Sequence, residues 1–223
     1  MGYEASKTKQ LLNEFELTLL EGSGIDIGCG LDPIMPTARA FDVDDGDANK
    51  ITEYVSQQFD YVFSSHCLEH MHNPEEAIQE WWKLVKTGGH LMFSVPDEDL
   101  YEQGYFPSLF NDDHKSTFTI SKSQSWSNKS YNLLELVESL ESSKLIKIEL
   151  QDNGYDRSLL YHSVYTRETA YKLVNIIRRT SSLFKIFGIR NLVTKQLSKL
   201  LRTPIDQTHY EALVQNFVII QKV

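Results

Sequence analysis

An apolar run that ends on two glycines one residue apart, Gly24-Ile25-Asp26-Ile27-Gly28-Cys29-Gly30-Leu31-Asp32-Pro33, constrains this chain more than any other stretch. Ile25 and Ile27 suit a buried strand, and the glycines then let the backbone turn where a side chain would not fit. A bare peptide turn at the carboxyl end of a strand is where an α/β sheet lets a nucleotide-like ligand lie against its backbone. The plain alternative is a tight structural turn. The residues after Gly30 narrow the ligand. A dinucleotide fingerprint needs a third glycine opening a helix whose N-terminus holds the pyrophosphate. Leu31-Asp32-Pro33-Ile34 occupies that place here, and Pro33 and Pro36 oppose a full helix before Phe41. Asp26, Asp42, Asp44 and Asp47 crowd the same region. Such carboxylates repel phosphate while suiting ribose hydroxyls, an ammonium or a sulfonium.

Asp26 to Gly30, then Phe41-Asp42-Val43-Asp44, Gly46-Asp47-Ala48, Phe59 to His66, Cys67-Leu68-Glu69-His70 and Lys86 to Leu91 succeed one another in a set order. That order resembles the motifs of class I S-adenosylmethionine-dependent methyltransferases over roughly residues 20 to 100. It is most similar to the short-spaced methyltransferase-domain proteins associated with polysaccharide and cell-surface glycan pathways. The resemblance implies an α/β, Rossmann-like, mostly parallel doubly wound sheet with an antiparallel C-terminal strand, and S-adenosylmethionine as cofactor. It sets Asp26 and the Gly28, Cys29, Gly30 turn against the cofactor's methionine end. Asp42 then holds the ribose hydroxyls, Asp47 and the Ala48 amide read the adenine edge, and Ser64, Ser65 and His66 border the cofactor from the next strand. Two departures stand out. Asp32 replaces the motif's usual third glycine, and the short link from the turn to Asp42 leaves Asp44 as a competing ribose ligand.

Length and composition set the bounds. The chain has 223 residues, 41% of them hydrophobic, which suits one α/β domain with additions rather than two full ones. We expect a single domain over 1–223 with insertions at 97–130 and 156–210. No run approaches the ~20 apolar residues of a membrane helix. Met1-Gly2-Tyr3-Glu4-Ala5-Ser6-Lys7 lacks the apolar core of a secretion signal, which points to the cytoplasm. Two cysteines, Cys29 and Cys67, make neither a disulfide framework nor a metal cluster and read as reduced thiols. A formal charge of −9 gives no general attraction for nucleic acid. A small-molecule acceptor is the expected partner.

Along the chain, Leu11, Leu12, Phe15 and Leu19 share one helical face within residues 5 to 20, with Leu17 and Leu20 off it. Residues 38 to 43 read as the second strand and 48 to 55 as a brief element. Phe59 to Ser65 has the pattern of a strand buried on both faces. Asn73 and Pro74 open a helix to Val85 with Ala77, Ile78, Trp81, Trp82 and Val85 on its apolar face. Gly88-Gly89 is expected to end it before a strand over 91–95. Residues 97–130 break the rhythm, yet Tyr101, Tyr105, Phe106, Phe110, Phe118 and Trp126 argue against disorder, so this segment reads as a substrate cover. A helix over 133–140, a strand over 145–150, a helical insertion over 165–201 and a final strand over 216–220 complete the chain. The helical insertion offers a broad apolar face, with Arg178, Arg179, Lys185, Arg190, Lys195, Lys199 and Arg202 close by, as a lid or a homodimer contact.

A methyl on a sulfonium is already activated, so the protein aligns the reactants, excludes water and removes the proton of a hydroxyl acceptor. Histidine suits that last task. His66, His70 and His114 are the catalytic candidates, His66 with a second role at the cofactor, while His72 reads as exposed. His114 lies in Asp112-Asp113-His114-Lys115, where Asp113 can orient an imidazole and Lys115 can meet an oxyanion; Asp97 and Tyr101 join Asp113 and Lys115 as acceptor contacts. Glu69, His70 and a third ligand are a conceivable metal site, but two ligands adjacent in sequence rarely bind one ion in the same geometry, so no metal is assigned. These residues point to O-methylation of a small hydroxylated or phosphorylated metabolite of sugar type. The alternative is a cofactor-binding, non-catalytic subunit that holds a partner through 165–201. A nicotinamide oxidoreductase is disfavoured by the missing third glycine.

Overall fold

Short apolar runs and their punctuation build the sheet. The structure is a computed structural model that describes residues 4–161, 164–184, 186–210 and 212–223. In chain order the strands are β1 (Gly24–Ile27), β2 (Arg39–Phe41), β3 (Phe59–Ser65), β4 (Val85–Pro96), β5 (Thr117–Thr119), β6 (Ser130–Asn132), β7 (Ser143–Gln151) and β8 (Gln215–Lys222). The helices are α1 (Glu4–Lys9), α2 (Glu14–Thr18), α3 (Pro74–Lys83), α4 (Leu133–Glu138), α5 (Arg167–Ser182) and α6 (Phe187–Leu201). Six strands pair in the order β2-β1-β3-β4-β8-β7, and β5 and β6 form a separate pair. β1 to β4 are parallel, and β8 runs antiparallel to both β4 and β7. The expected C-terminal antiparallel strand is thus present, but inside the sheet rather than on its edge. No described helix is long and apolar enough to cross a membrane.

Alternation along β3 and β8 feeds two apolar layers, as expected of strands covered on both sides. Val62, Val218 and Ile220 meet Ala77, Ile78, Trp81 and Trp82 of α3 on one face; Tyr61, Phe63, Phe217 and Ile219 meet Leu12, Leu20 and Ile34 on the other. Asn73 caps α3 by accepting from the Glu75 and Glu76 amides at 3.1 and 3.4 Å. The two buried indoles do not waste their N–H groups: Trp81 donates to the Ala48 carbonyl and Trp82 to that of Glu141, each at 2.9 Å.

Local chemistry moves several boundaries. The helix expected over 5–20 is two helices, because Asn13 and Glu16 form a reciprocal capping box that starts α2 afresh. Leu20 rather than Phe15 then enters the core, and Phe15 faces solvent. The Gly88-Gly89 pair does not end α3, which stops at Lys83; it forms a bulge inside β4, between the pairs Phe59–Val85 and Tyr61–His90. The second strand is shorter than 38–43, and the 165–201 segment divides into α5 and α6, with Lys185 at the division outside the described residues.

Residues 97–130 fold around one buried carboxylate. Glu98, fully buried, accepts from the hydroxyls of Thr117, Ser125 and Ser130 and from Lys122 Nζ at 3.1 Å. The C-terminal insertion joins this lobe: Gln103 Nε2 donates to the Ile205 carbonyl at 2.9 Å, Tyr105 Oη to that of Tyr165 at 3.0 Å and Tyr155 Oη to that of Leu100 at 2.7 Å. Both insertions therefore join in one structure built on the segment after the carboxyl end of β4.

Candidate active site

Everything of chemical interest gathers where β1, β2, β3 and β4 end. Gly28 and Gly30 hold φ of 76° and 56°, the left-handed region that glycine enters without cost. Gly28 N donates to the Phe41 carbonyl at 2.8 Å, which carries the β1–β2 ladder into the turn. A Cβ at Gly28 would sit 2.6 Å from Cys67 Sγ, so the turn after β1 and the turn after β3 are in direct contact. At Gly30 the nearest atom to a Cβ is Asp42 Oδ2 at 3.8 Å, and the outer side of the turn is open.

Asp42 and Asp44 are placed differently. Its Oδ2 accepts from Gly30 N and its Oδ1 from Val43 N at 2.7 Å, which fixes the carboxylate beside the glycine turn, while Asp44 is exposed. Asp47 is exposed and caps the turn over Ala48–Glu53, its Oδ1 accepting from the Asn49 amide at 2.9 Å and from Nδ2 at 2.7 Å. These bonds hold its carboxyl below the usual range. Ala48 is half-buried behind it. Asp26 lies deeper. It is fully buried, its Oδ2 accepts from Ile34 N at 2.6 Å, and its Oδ1 has no partner. Burial above all, then the nearby Asp32 and Asp42, pushes its pKa up to about 8 in spite of the Ile34 bond.

Ser64 and Ser65, expected at the cofactor, turn inward: Ser64 Oγ donates to the Ile27 carbonyl at 3.0 Å, and Ser65 Oγ meets Ser94 Oγ at 3.0 Å and Thr8 Oγ1 at 3.3 Å. Burial raises the Cys29 thiol to about 11 and lifts that of Cys67 as well, so both stay protonated at neutral pH.

A second cluster begins at His66, a left-handed residue (φ 54°) at the end of β3. His66 Nε2 meets Gln215 Oε1 at 2.9 Å and its Nδ1 meets Glu69 Oε1 at 3.3 Å. Burial opposes the imidazolium, but two acceptors at its two nitrogens outweigh that and raise its pKa. Held between acceptors, His66 is poorly placed to take up a further proton. Glu69 is 1% exposed, and neither carboxylate oxygen completes a well-aligned hydrogen bond. Burial raises its pKa, yet the His66 contact and the other imidazoles hold it below the usual value. His114 is buried, its Nδ1 2.7 Å from Glu102 Oε1 and its Nε2 4.0 Å from Glu69 Oε1. His70 Nδ1 lies 2.9 Å from Asp113 Oδ2, and its ring meets His114 edge to face at 5.1 Å. No motif or spacing marks Glu102 in advance, or the way the 97–130 segment carries His114 back to Glu69; the Lys115 amide, bonded to the Glu69 carbonyl at 2.8 Å, fixes that return.

The expected acceptor contacts fare differently. Asp97 caps the turn after β4 through Oδ1 and accepts from Asn216 through Oδ2 at 3.1 Å, so its carboxylate is committed to the fold. Tyr101 packs between Phe110 and His114, with ring centroids 5.8 and 5.3 Å away. Asp113 and Lys115 pair with each other at 3.0 Å. A cleft of about 870 Å³ between α3 and α4, lined by Glu75, Glu76, Gln79 and Glu135, contains none of these groups and lies apart from the glycine turn.

The fold is similar to those of solved methyltransferase structures. A protein of Galdieria sulphuraria assigned as a sarcosine dimethylglycine methyltransferase has the same fold with a TM-score of 0.51 at 12% identity, covering 97% of this chain and 86% of that one. An S-adenosylmethionine-dependent methyltransferase of Archaeoglobus fulgidus matches with a TM-score of 0.48 at 13% identity, covering 100% and 95%. Haemonchus contortus phosphoethanolamine N-methyltransferase 2, solved with S-adenosylmethionine, matches with a TM-score of 0.42 at 15% identity over 90% of this chain and 48% of its own. No curated protein matches. The class defined is that of the class I S-adenosylmethionine-dependent methyltransferases. The chain belongs to the methyltransferase domain family, which it matches over residues 4–155.

The residues present fit the cofactor of that class. Asp26 Oδ1 is an orphaned buried acceptor beneath the turn, Asp42 stands beside an open glycine peptide, and both bond only to backbone amides rather than to a cationic side chain among the described residues. An ammonium, a sulfonium and ribose hydroxyls are the groups such a donor-poor, acid-rich set accommodates.

Proposed function

We propose that this enzyme methylates an oxygen of a small hydroxylated or phosphorylated acceptor of sugar type, with S-adenosylmethionine as donor. When bound, the cofactor supplies an activated methyl group on a positively charged sulfur. The chain's own residues do the rest. Asp42 and the Gly28 to Gly30 turn hold the nucleoside, Asp47 and Ala48 lie at its adenine side, and Asp26 offers its unpartnered oxygen to the ligand's ammonium. The lobe formed by 97–130 and the helical insertion excludes water and presents Tyr101 and His114 to the acceptor. The observation that carries the choice of oxygen is the buried cluster of His66, Glu69, His70, His114 and Glu102. A neutral amine attacks through its lone pair, whereas a hydroxyl must shed a proton, and a site rich in imidazoles and carboxylates serves the second case.

The test is binding followed by transfer. Calorimetry is expected to show saturable S-adenosylhomocysteine binding by the wild-type protein, weakened at least tenfold in Asp42→Ala, and radiolabelled methyl is expected to pass to polyols or sugar phosphates in preference to amines. Absence of binding would remove the functional reading; transfer to amines alone would remove its oxygen specificity.

We further propose that α5 and α6 form a contact between two copies. Ile176, Leu183, Ile186, Ile189, Leu192 and Leu200 are all exposed there. An exposed apolar set of this extent on one pair of helices suits a contact surface. Sedimentation is expected to give a dimer that Leu192→Glu with Ile189→Glu converts to a monomer of unchanged helical content; a wild-type monomer would overturn the proposal.

A further inference from the structure

We propose that Glu69, His70 and His114 form a binding site for one divalent transition-metal ion. One ligand atom from each of the three lies within 4.8 Å of the other two. An ion with bonds of about 2.1 Å separates its ligands by roughly 3.0–4.2 Å, so small side-chain rotations close the set. The Glu69 Oε1 to His114 Nε2 distance of 4.0 Å is already in that range.

Three independent features point to a cation rather than to a packed polar core. First, buried carboxylate oxygens are left without a completed hydrogen bond: both of Glu69 and Oε2 of Glu102 have none, and each residue is 1% exposed. Leaving such groups unpaired is costly, and natural structures avoid it unless the group serves a ligand. Second, each ligand has an outer partner that orients it. Glu102 holds His114 through Nδ1 at 2.7 Å, Asp113 holds His70 through Nδ1 at 2.9 Å, and His66 flanks Glu69 at 3.3 Å. Carboxylates on the remote nitrogens leave both Nε2 atoms as metal donors, the arrangement that fixes tautomer and ring orientation in metal sites. Third, the site is closed below and open above: Glu69 and His114 are buried while the His70 side chain is 26% exposed. Three protein ligands with open positions beyond them are the pattern of a reactive rather than a structural centre. Two imidazoles and one carboxylate favour zinc, iron(II) or manganese over magnesium or calcium, which take mainly oxygen.

Sequence adjacency spoke against this site because neighbouring side chains usually diverge. The tight turn over Leu68–His70 together with the return of His114 overcomes that. Cys67, at the start of the turn, touches the Gly28 position, so the ion lies next to the glycine turn after β1. Resting on the methyl-transfer reading, the open coordination positions take the acceptor's oxygen, whose proton becomes more acidic on the metal.

Tag-free protein, stripped with a chelator, is titrated with zinc and separately with manganese by calorimetry; cobalt(II) reports coordination through its visible absorption. One ion per chain is expected. His70→Ala is expected to weaken binding by about 100-fold or more without lowering the melting temperature of the stripped protein, and Glu102→Gln by ~10–100-fold. His72→Ala, an exposed neighbour outside the set, is expected to bind as the wild type does. Failure of the stripped protein to bind zinc, manganese or cobalt, or His70→Ala binding as tightly as wild type, would overturn the proposal. S-adenosylhomocysteine binding by the same stripped sample separates the two readings: its presence without metal binding leaves the methyltransferase standing and removes the ion.

Discussion

Asp26→Asn is expected to flatten the pH dependence of stability while costing cofactor affinity. The Asp26 carboxyl titrates near 8 in the folded chain and near the ordinary 3.8 when unfolded, because folding buries it with one oxygen unpartnered. The folded state therefore holds a proton that the unfolded state has released across that interval. Stability that is intact below the unfolded value is lost as pH climbs toward 8, at up to about 1.4 kcal/mol per unit. Asparagine removes the titration and keeps an acceptor for Ile34 N. Thermal melts between pH 5 and 8 are expected to show the variant gaining on the wild type by about 7–15 °C across that range, at the 2–4 °C per kcal/mol usual for a chain of this size. Calorimetry at pH 8 is expected to show at least tenfold weaker S-adenosylhomocysteine binding, since the neutral amide no longer offsets the ligand's ammonium. Parallel melting profiles would mean that the carboxyl is not held neutral by its surroundings.

Gly28→Ala is expected to cost both stability and cofactor binding. Its φ of 76° costs an ordinary side chain about 1–2 kcal/mol, and the new Cβ would lie 2.6 Å from Cys67 Sγ and 2.7 Å from Cys67 Cβ. We expect a loss of about 5–10 °C in melting temperature and no measurable cofactor binding. Cys67→Gly in the same background removes both close contacts, leaving Cys67 Cα at 3.8 Å, and is expected to return part of the stability but not the binding. If the single variant melts and binds as the wild type, the two turns do not approach each other closely at Gly28.

Much of this architecture was legible in the sequence, and the limits are physical. Gly28 and Gly30, the apolar run of 59–65 and the Asn73-Pro74 helix start are local signals, and each lies where it was expected because turn, strand and cap are decided by neighbours in sequence. The same locality explains the failures. The Asn13–Glu16 capping box breaks a helix that hydrophobic spacing alone extends, and the Gly88-Gly89 pair serves a bulge whose need is set by β3, a partner the sequence does not reveal. In the site, acids near the glycine turn were readable, whereas Glu102 and the meeting of His114 with Glu69 depend on a long return of the chain. Ser64 and Asp97 misled for the converse reason: at a strand end a polar side chain is as useful to the adjacent backbone as to a ligand.

β8 follows β4 and β7 in the chain yet lies between them in the sheet, so until it is seated β4 has an unpaired edge and β7 has no partner in the main sheet. Closure waits for Phe217 to Ile220 to pair with both neighbours, and until then two open strand borders remain. Sealing the sheet therefore depends on contacts far apart in sequence, the kind that form slowly.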